Sequence, residues 1–181
     1  MTGQGSISGL FPALLGGQFL SLDPSVIAVH SGSSRRLQGT AVVKRGSSWV
    51  ARALCALASL PRDQVNAPVT VEILVTDAGE HWTRHFGDSP EMSSALRGRI
   101  GLVEERLGPV MMSFQLLARA GGIDWKLRRV ALLGCPLPVR WFHVVSRSQA
   151  KADSYHFEVD AEIVGVGPII RYEGTLGCEP V

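Results

Sequence analysis

The chain has 181 residues, 45% apolar and 19% charged, which describes a folded globular domain and excludes a disordered chain. Eighteen basic residues against sixteen acidic ones leave a net charge of +2, too little to argue for nucleic acid or an anionic membrane surface as partner. No run approaches the ~20 apolar residues of a membrane helix, so no membrane span is expected, and the length suits one domain over 1–181 with a frayed tail at 1–9.

Short helices open the chain. Leu10, Leu14 and Leu15 have helical spacing, and Asp23-Pro24 is a helix start that carries Val26, Ile27 and Val29 into a short helix ending near His30. The segment from Leu37 to Lys44 reads as a strand with Leu37, Gly39, Ala41 and Val43 on one face. Ser47 or Ser48 then caps the clearest helix, Trp49 to Ser59, which stops at Leu60-Pro61. Its broad apolar surface and single charge, Arg52, predict a largely buried central helix.

After Pro61 the period changes from 3.6 to 2. Strands are expected over 69–76, 80–86, 100–107, 110–119, 123–133, 139–146, 155–163 and 169–176, with 88–98 a loop or one more short strand. Asp77-Ala78-Gly79, Gly108-Pro109, Gly121-Gly122 and Gly165 to Pro168 are turn signals too short for anything but antiparallel neighbours. The clearest strand is Tyr155 to Ile163, where Tyr155, Phe157, Val159, Ala161 and Ile163 alternate with His156, Glu158, Asp160 and Glu162. Arg171 and Lys126 are suited to balance its acidic side, which then reads as a solvated outer surface. The fold class is α+β: N-terminal short helices, then a strongly curled antiparallel meander of about nine strands, a half-open barrel gripping one central helix. A fully closed barrel with the helices outside is the alternative.

Strand parity exposes one residue out of place. In Glu80 to Phe86, Glu80, Trp82, Arg84 and Phe86 share a face, and the two aromatics mark that face as the inner one. Arg84 therefore points inward and needs a carboxylate, carbonyls or an anionic ligand, because an unpaired buried guanidinium is very costly. Glu105, on the apolar side of its strand with Val103 and Leu107, is the candidate partner. A structural ion pair and an anion-binding arginine in a pocket both satisfy that reading. Phe114, Trp125, Trp141, Phe157 and Tyr172 form an aromatic set for the core or a cavity wall, and His143 shares the parity of Trp141. His30 suits the dipole at a helix C-terminus.

Phosphate-binding glycine loops, H-E-x-x-H, paired C-x-x-C and the G-x-S-x-G elbow are missing, so no cofactor and no metal are expected. Cys55, Cys135 and Cys178 are odd in number and lack ligand spacing, which fits a reducing cytoplasm.

The order of Trp82 to Gly87 (W-T-R-H-F-G), Glu105 to Pro109 (E-R-L-G-P), Gly134 to Pro138 (G-C-P-L-P), Phe157 to Val159 (F-E-V) and Ile170 to Leu176 (I-R-Y-E-G-T-L) resembles a bacterial domain family of unknown function. Val26 to His30 and Val42 to Gly46 match it too, so the resemblance runs from about Leu10 to Leu176. Members of that family occur alone or behind a saccharopine-dehydrogenase-like domain, which implies a cytoplasmic bacterial protein and an oxidoreductase as a possible partner. Its recurring residues correspond to His30, Arg45, Trp82, Arg84, Glu105, Arg106, Pro136 and Tyr172, candidates for a shared pocket or a shared core.

Three functions follow as expectations. The first is a non-enzymatic binding module for a small apolar or anionic ligand, with Arg84, Trp82, Glu105, Tyr172 and His30 at the site. The second is an accessory domain for an oxidoreductase. The third is an enzyme pairing Glu105 with His30 or His143 as acid and base.

Overall fold

The computed structural model describes residues 9–152 and 154–178, so the tail expected at the N-terminus falls, Gly9 apart, outside the described residues. Three short α-helices, α1 (Leu10–Leu15), α2 (Pro24–His30) and α3 (Trp49–Leu57), accompany eleven strands. The strands are β1 (Arg35–Arg45), β2 (Gln64–Thr76), β3 (Gly79–Phe86), β4 (Met92–Arg99), β5 (Leu102–Leu107), β6 (Val110–Arg119), β7 (Gly122–Leu132), β8 (Cys135–Leu137), β9 (Phe142–Lys151), β10 (Ser154–Ile163) and β11 (Gly167–Cys178). The ambiguous stretch at 88–98 is a full strand, β4. Its alternation is carried by Met92, Ser94 and Leu96, and the two buried serine and methionine positions blur the pattern in the sequence.

All pairings are antiparallel, and chain order is almost spatial order. Each strand from β1 to β7 pairs with the next, β7 continues to β9, β10 and β11, and β11 returns to β1 from Leu37↔Cys178 to Arg45↔Ile170. Strand β8 lies outside this ring, so ten strands close a barrel. The half-open barrel is therefore corrected to a closed one. Closure satisfies the backbone groups that two sheet edges would expose, and the β1–β11 pairing joins segments more than a hundred residues apart.

One seam is thin. β7 pairs with β9 only at Ile123↔Ser148 and Asp124↔Arg147, whereas its far end, Val130 to Leu132, pairs with β8. A bulge causes the parity switch along β7. Ile123, Trp125 and Leu127 face inward, Arg128 and Arg129 are both exposed, and Val130 and Leu132 resume the inner face opposite Met112 and Val110.

The helices close the barrel ends. At one end, α1 inserts Phe11, fully buried, against Trp125, Trp82 and His30, with ring centroids 5.5, 6.2 and 4.2 Å away. At the other end, α3 lies across the opening between β1 and β2, capped by Ser48, whose Oγ accepts a hydrogen bond from Ala51 N–H at 3.1 Å. The expected buried central helix is thus also corrected. Only Ala51 and Cys55 of α3 are buried, because a helix that roofs a barrel mouth has one covered side and one facing out.

The outer face of β10 carries the expected charges in an ion-pair ladder. Arg171 contacts Glu158 at 3.5 Å and Asp160 at 3.9 Å, and Arg147, in the place expected for Lys126, reaches Glu158 at 3.8 Å and Asp124 at 3.5 Å.

Candidate functional site

A ring of ten strands is wider than the eight whose interiors side chains fill, and here the interior is not filled. Beneath α3 lies a cavity of about 330 Å³, lined by Val50 and Leu54 of α3 and by inward residues of the barrel such as Met112, Val144, Ala161 and Ile170. Almost every lining group is apolar, and the volume falls in the range of small-molecule sites, about 300–1,000 Å³. A second space of about 80 Å³ lies deeper, lined by Trp82, Arg84, Phe86, Trp125 and Tyr155 among others. Glu105, Ser146, Val159 and Tyr172 line both and form the floor of the larger cavity.

Strand parity places Arg84 inside, as the aromatics around it predict. Its Nη2 lies 3.5 Å from Glu105 Oε1, its Nη1–H donates to Ser94 Oγ at 2.9 Å, and its Cζ stands 5.1 Å from the centroid of the Trp82 ring. The Arg84 and Glu105 side chains are 14% and 15% exposed, so water screens this pair little. Adjacent strands bring the three together: Trp82↔Ser94 and Arg84↔Met92 join β3 to β4, and Leu96↔Glu105 joins β4 to β5. Ser94, buried and hydrogen-bonded, was invisible to sequence reasoning because a serine in a strand carries no sign of which face needs it. Tyr172 packs its ring against Phe86 and Phe157, and burial pushes its hydroxyl up to about 12, with Arg84 pulling the other way, so the phenol stays protonated and able to donate.

His30 belongs to a different group. It is fully buried in the plug, its ring against Phe11, Trp82 and Tyr155, and its Nδ1 lies 3.0 Å from the Val26 carbonyl, to which it donates. Burial lowers its pKa to about 4, so it is neutral near pH 7 and adds no charge at the helix C-terminus, contrary to the dipole reading. Glu80 is also buried and accepts from Trp82 Nε1–H at 2.8 Å; burial raises its pKa, and Trp82 and Arg35 oppose the rise. Tyr155 OH and Ser148 Oγ share a hydrogen bond of 2.9 Å at the same end.

The remaining expected residues lie elsewhere. His143 is exposed on the outside of β9, because Trp141 belongs to a one-turn 3-10 segment, Val139–Trp141, and the strand and its parity start only at Phe142. Trp141 itself sits half-exposed at the cavity rim instead of in the core ladder, while Phe114 and Trp125 are buried as expected and stack edge to face at 5.7 Å. Arg45 clamps the connection after α3: its Nε–H donates to the Pro61 carbonyl at 2.7 Å and its Nη2–H to that of Leu60. Arg106 and Pro136 are exposed. Among the described residues no three His, Cys, Asp or Glu side chains cluster in a way that holds a metal, and no helix is long and apolar enough to cross a membrane.

A family profile described as a domain of unknown function (DUF4166) matches residues 22–176. The chain belongs to that family. The matched span of this DUF4166 domain begins just before α2, ends within β11 and contains all the residues that line the larger cavity. Among solved structures, a protein with unknown function from the DUF3598 family of Nostoc punctiforme PCC 73102 is similar over 80% of this chain and 47% of its own, with 15% identity and a TM-score of 0.47. No curated protein matches the chain.

Proposed function

We propose that this DUF4166 domain is a non-enzymatic binding module whose barrel takes a small, largely apolar ligand with a compact polar end. The observation behind the reading is the cavity of about 330 Å³, apolar on its walls and roof and polar on its floor, where Glu105, Ser146 and Tyr172 meet. Apolar walls drive entry by releasing water, and a few placed polar groups orient the ligand. The Tyr172 hydroxyl offers a donor and the Glu105 carboxylate an acceptor, so a hydroxyl or carbonyl end fits without disturbing the Arg84 pair. An anionic end requires Arg84 to exchange Glu105 for the ligand, which the 3.5 Å contact makes a competition.

The acid–base reading has less behind it. Glu105 is engaged by Arg84, His30 is bonded to Val26 within the plug, and His143 faces outward.

Native mass spectrometry of the purified chain, with organic extraction of the same sample, tests the proposal. A co-purifying apolar molecule, or a polarity-sensitive fluorescent fatty alcohol bound at one site per chain and displaced by unlabelled alcohols, is the expected result. A chain that arrives empty and binds neither fatty alcohols nor fatty acids overturns it. A preference for the acids over the alcohols returns Arg84 to the role of anion receptor.

A further inference from the structure

The cavity roof carries an unusual surface. Trp49, Leu57, Leu133, Trp141 and Val164 are between 45% and 77% exposed, and all five stand at the α3 end of the barrel. They follow one another around the mouth. Val164 N–H donates to the Trp141 carbonyl at 2.8 Å, and Leu133 N–H to the Pro109 carbonyl at 2.9 Å. The β5–β6 turn abuts the end of α3, since a Cβ on Gly108 would lie 3.3 Å from the Leu57 carbonyl. At the other end of α3, Gly46 N–H donates to the Ile169 carbonyl at 2.9 Å, which sets Trp49 beside the start of β11. Trp141 also lines the cavity, so the exposed apolar rim is continuous with the apolar interior.

The segments that form the rim carry only basic charge. Arg52 on α3 and Arg140 beside Trp141 are both exposed, and no acidic residue occurs in 49–57, 108–110, 133–142 or 164–166. Of the acids at this end, Asp63, Asp88 and Glu91 lie on the β2–β4 side, in the connection after α3 and in the β3–β4 turn, and Glu162, exposed on the outer face of β10 opposite His143, stands two residues from Val164. Two tryptophans, three aliphatic side chains and two arginines at one end suit the boundary between acyl chains and anionic headgroups, where indole rings and guanidinium groups are both favoured. A water-facing rim of this kind exposes apolar area at a cost.

We infer that the α3 end docks on an anionic lipid bilayer, with the rim in the headgroup layer and the cavity mouth opening towards the membrane. The inference deepens the binding-module reading, because an apolar ligand then passes between bilayer and barrel without crossing water. The thin β7–β9 seam, bridged at this end by β8 and the turn that holds Trp141, adjoins the mouth.

Flotation of the full chain with phosphatidylserine-containing vesicles, against pure phosphatidylcholine vesicles, tests docking. The fatty-alcohol titration in vesicle-free buffer reads the cavity separately. The wild type is expected to float with the anionic vesicles and to show a blue-shifted tryptophan emission. Trp49→Ser with Leu133→Ser, neither of which lines the cavity, is expected to abolish flotation, and Arg52→Glu to lower vesicle affinity about tenfold. Both variants should keep the wild-type affinity for the alcohol. Failure of the wild type to float, or flotation that survives the Trp49→Ser/Leu133→Ser change, overturns docking and leaves the cavity reading intact. Sedimentation showing a dimer that this double change dissolves also overturns it, in favour of a second copy on the rim. Flotation without alcohol binding instead removes the cargo and with it the binding-module reading.

Discussion

The ion pair inside the barrel yields a sharp prediction. Glu105→Leu removes the carboxylate 3.5 Å from the Arg84 guanidinium while both sit about six-sevenths buried. At that separation and an effective dielectric of ~20, the bare attraction is about 5 kcal/mol, against which each ion's desolvation must be set. Without Glu105, Arg84 keeps its bond to Ser94 and the face of Trp82, which compensate it only in part. The expected cost is about 3 kcal/mol, the lower end for breaking a buried pair. Changing Arg84→Met as well removes the stranded cation and fills its place with a flexible apolar side chain. The double variant should therefore recover to within about 1 kcal/mol of the wild type. Urea denaturation followed by tryptophan fluorescence measures all four corners of this double-mutant cycle, since Trp82 and Trp125 report on the same interior. If Glu105→Leu costs less than about 1 kcal/mol, or the double variant is as unstable as the sum of the two single changes, the pair is not a coupled buried unit and the argument fails.

Other consequences are equally direct. His30 titrates near its ordinary value of 6.5 when unfolded but at about 4 when buried, so stability is complete above pH 6.5, declines as pH falls towards 4 and then levels. The His30 share is about 3 kcal/mol, read as the difference between the stability–pH profiles of the wild type and His30→Leu; parallel profiles would refute a buried neutral imidazole. Ala161→Phe projects a ring into the large cavity and is expected to weaken fatty-alcohol binding at least about tenfold with Tm unchanged or raised, whereas unaltered binding would place the ligand elsewhere. Gly39→Ala drives a Cβ into the Thr175 carbonyl oxygen where β1 meets β11, so closure should fail, with a loss of about 3 kcal/mol or more in chemical denaturation. Wild-type stability in that variant would mean that β1 and β11 separate freely.

What could be read from the residues alone is local chemistry. Period-two alternation marks strands because successive side chains take opposite faces, so β10 and the inward set Glu80, Trp82, Arg84 and Phe86 were legible without coordinates. The same parity, together with the cost of burying an unpaired guanidinium, identified Glu105 as the partner of Arg84. Parity fails where the chain departs from it. The bulge at Arg128–Arg129 shifts the faces of β7 by one residue, and the 3-10 turn before Phe142 sets the parity of β9 only from Phe142 on, which leaves His143 outside and Trp141 at the rim. Closure, the position of α3 as a roof and the cavity beneath it were decided only by tertiary structure. They depend on β11 finding β1, on the number of strands in the ring and on where a helix between β1 and β2 comes to rest. No segment encodes these by itself, because they are properties of contacts between segments far apart in the chain.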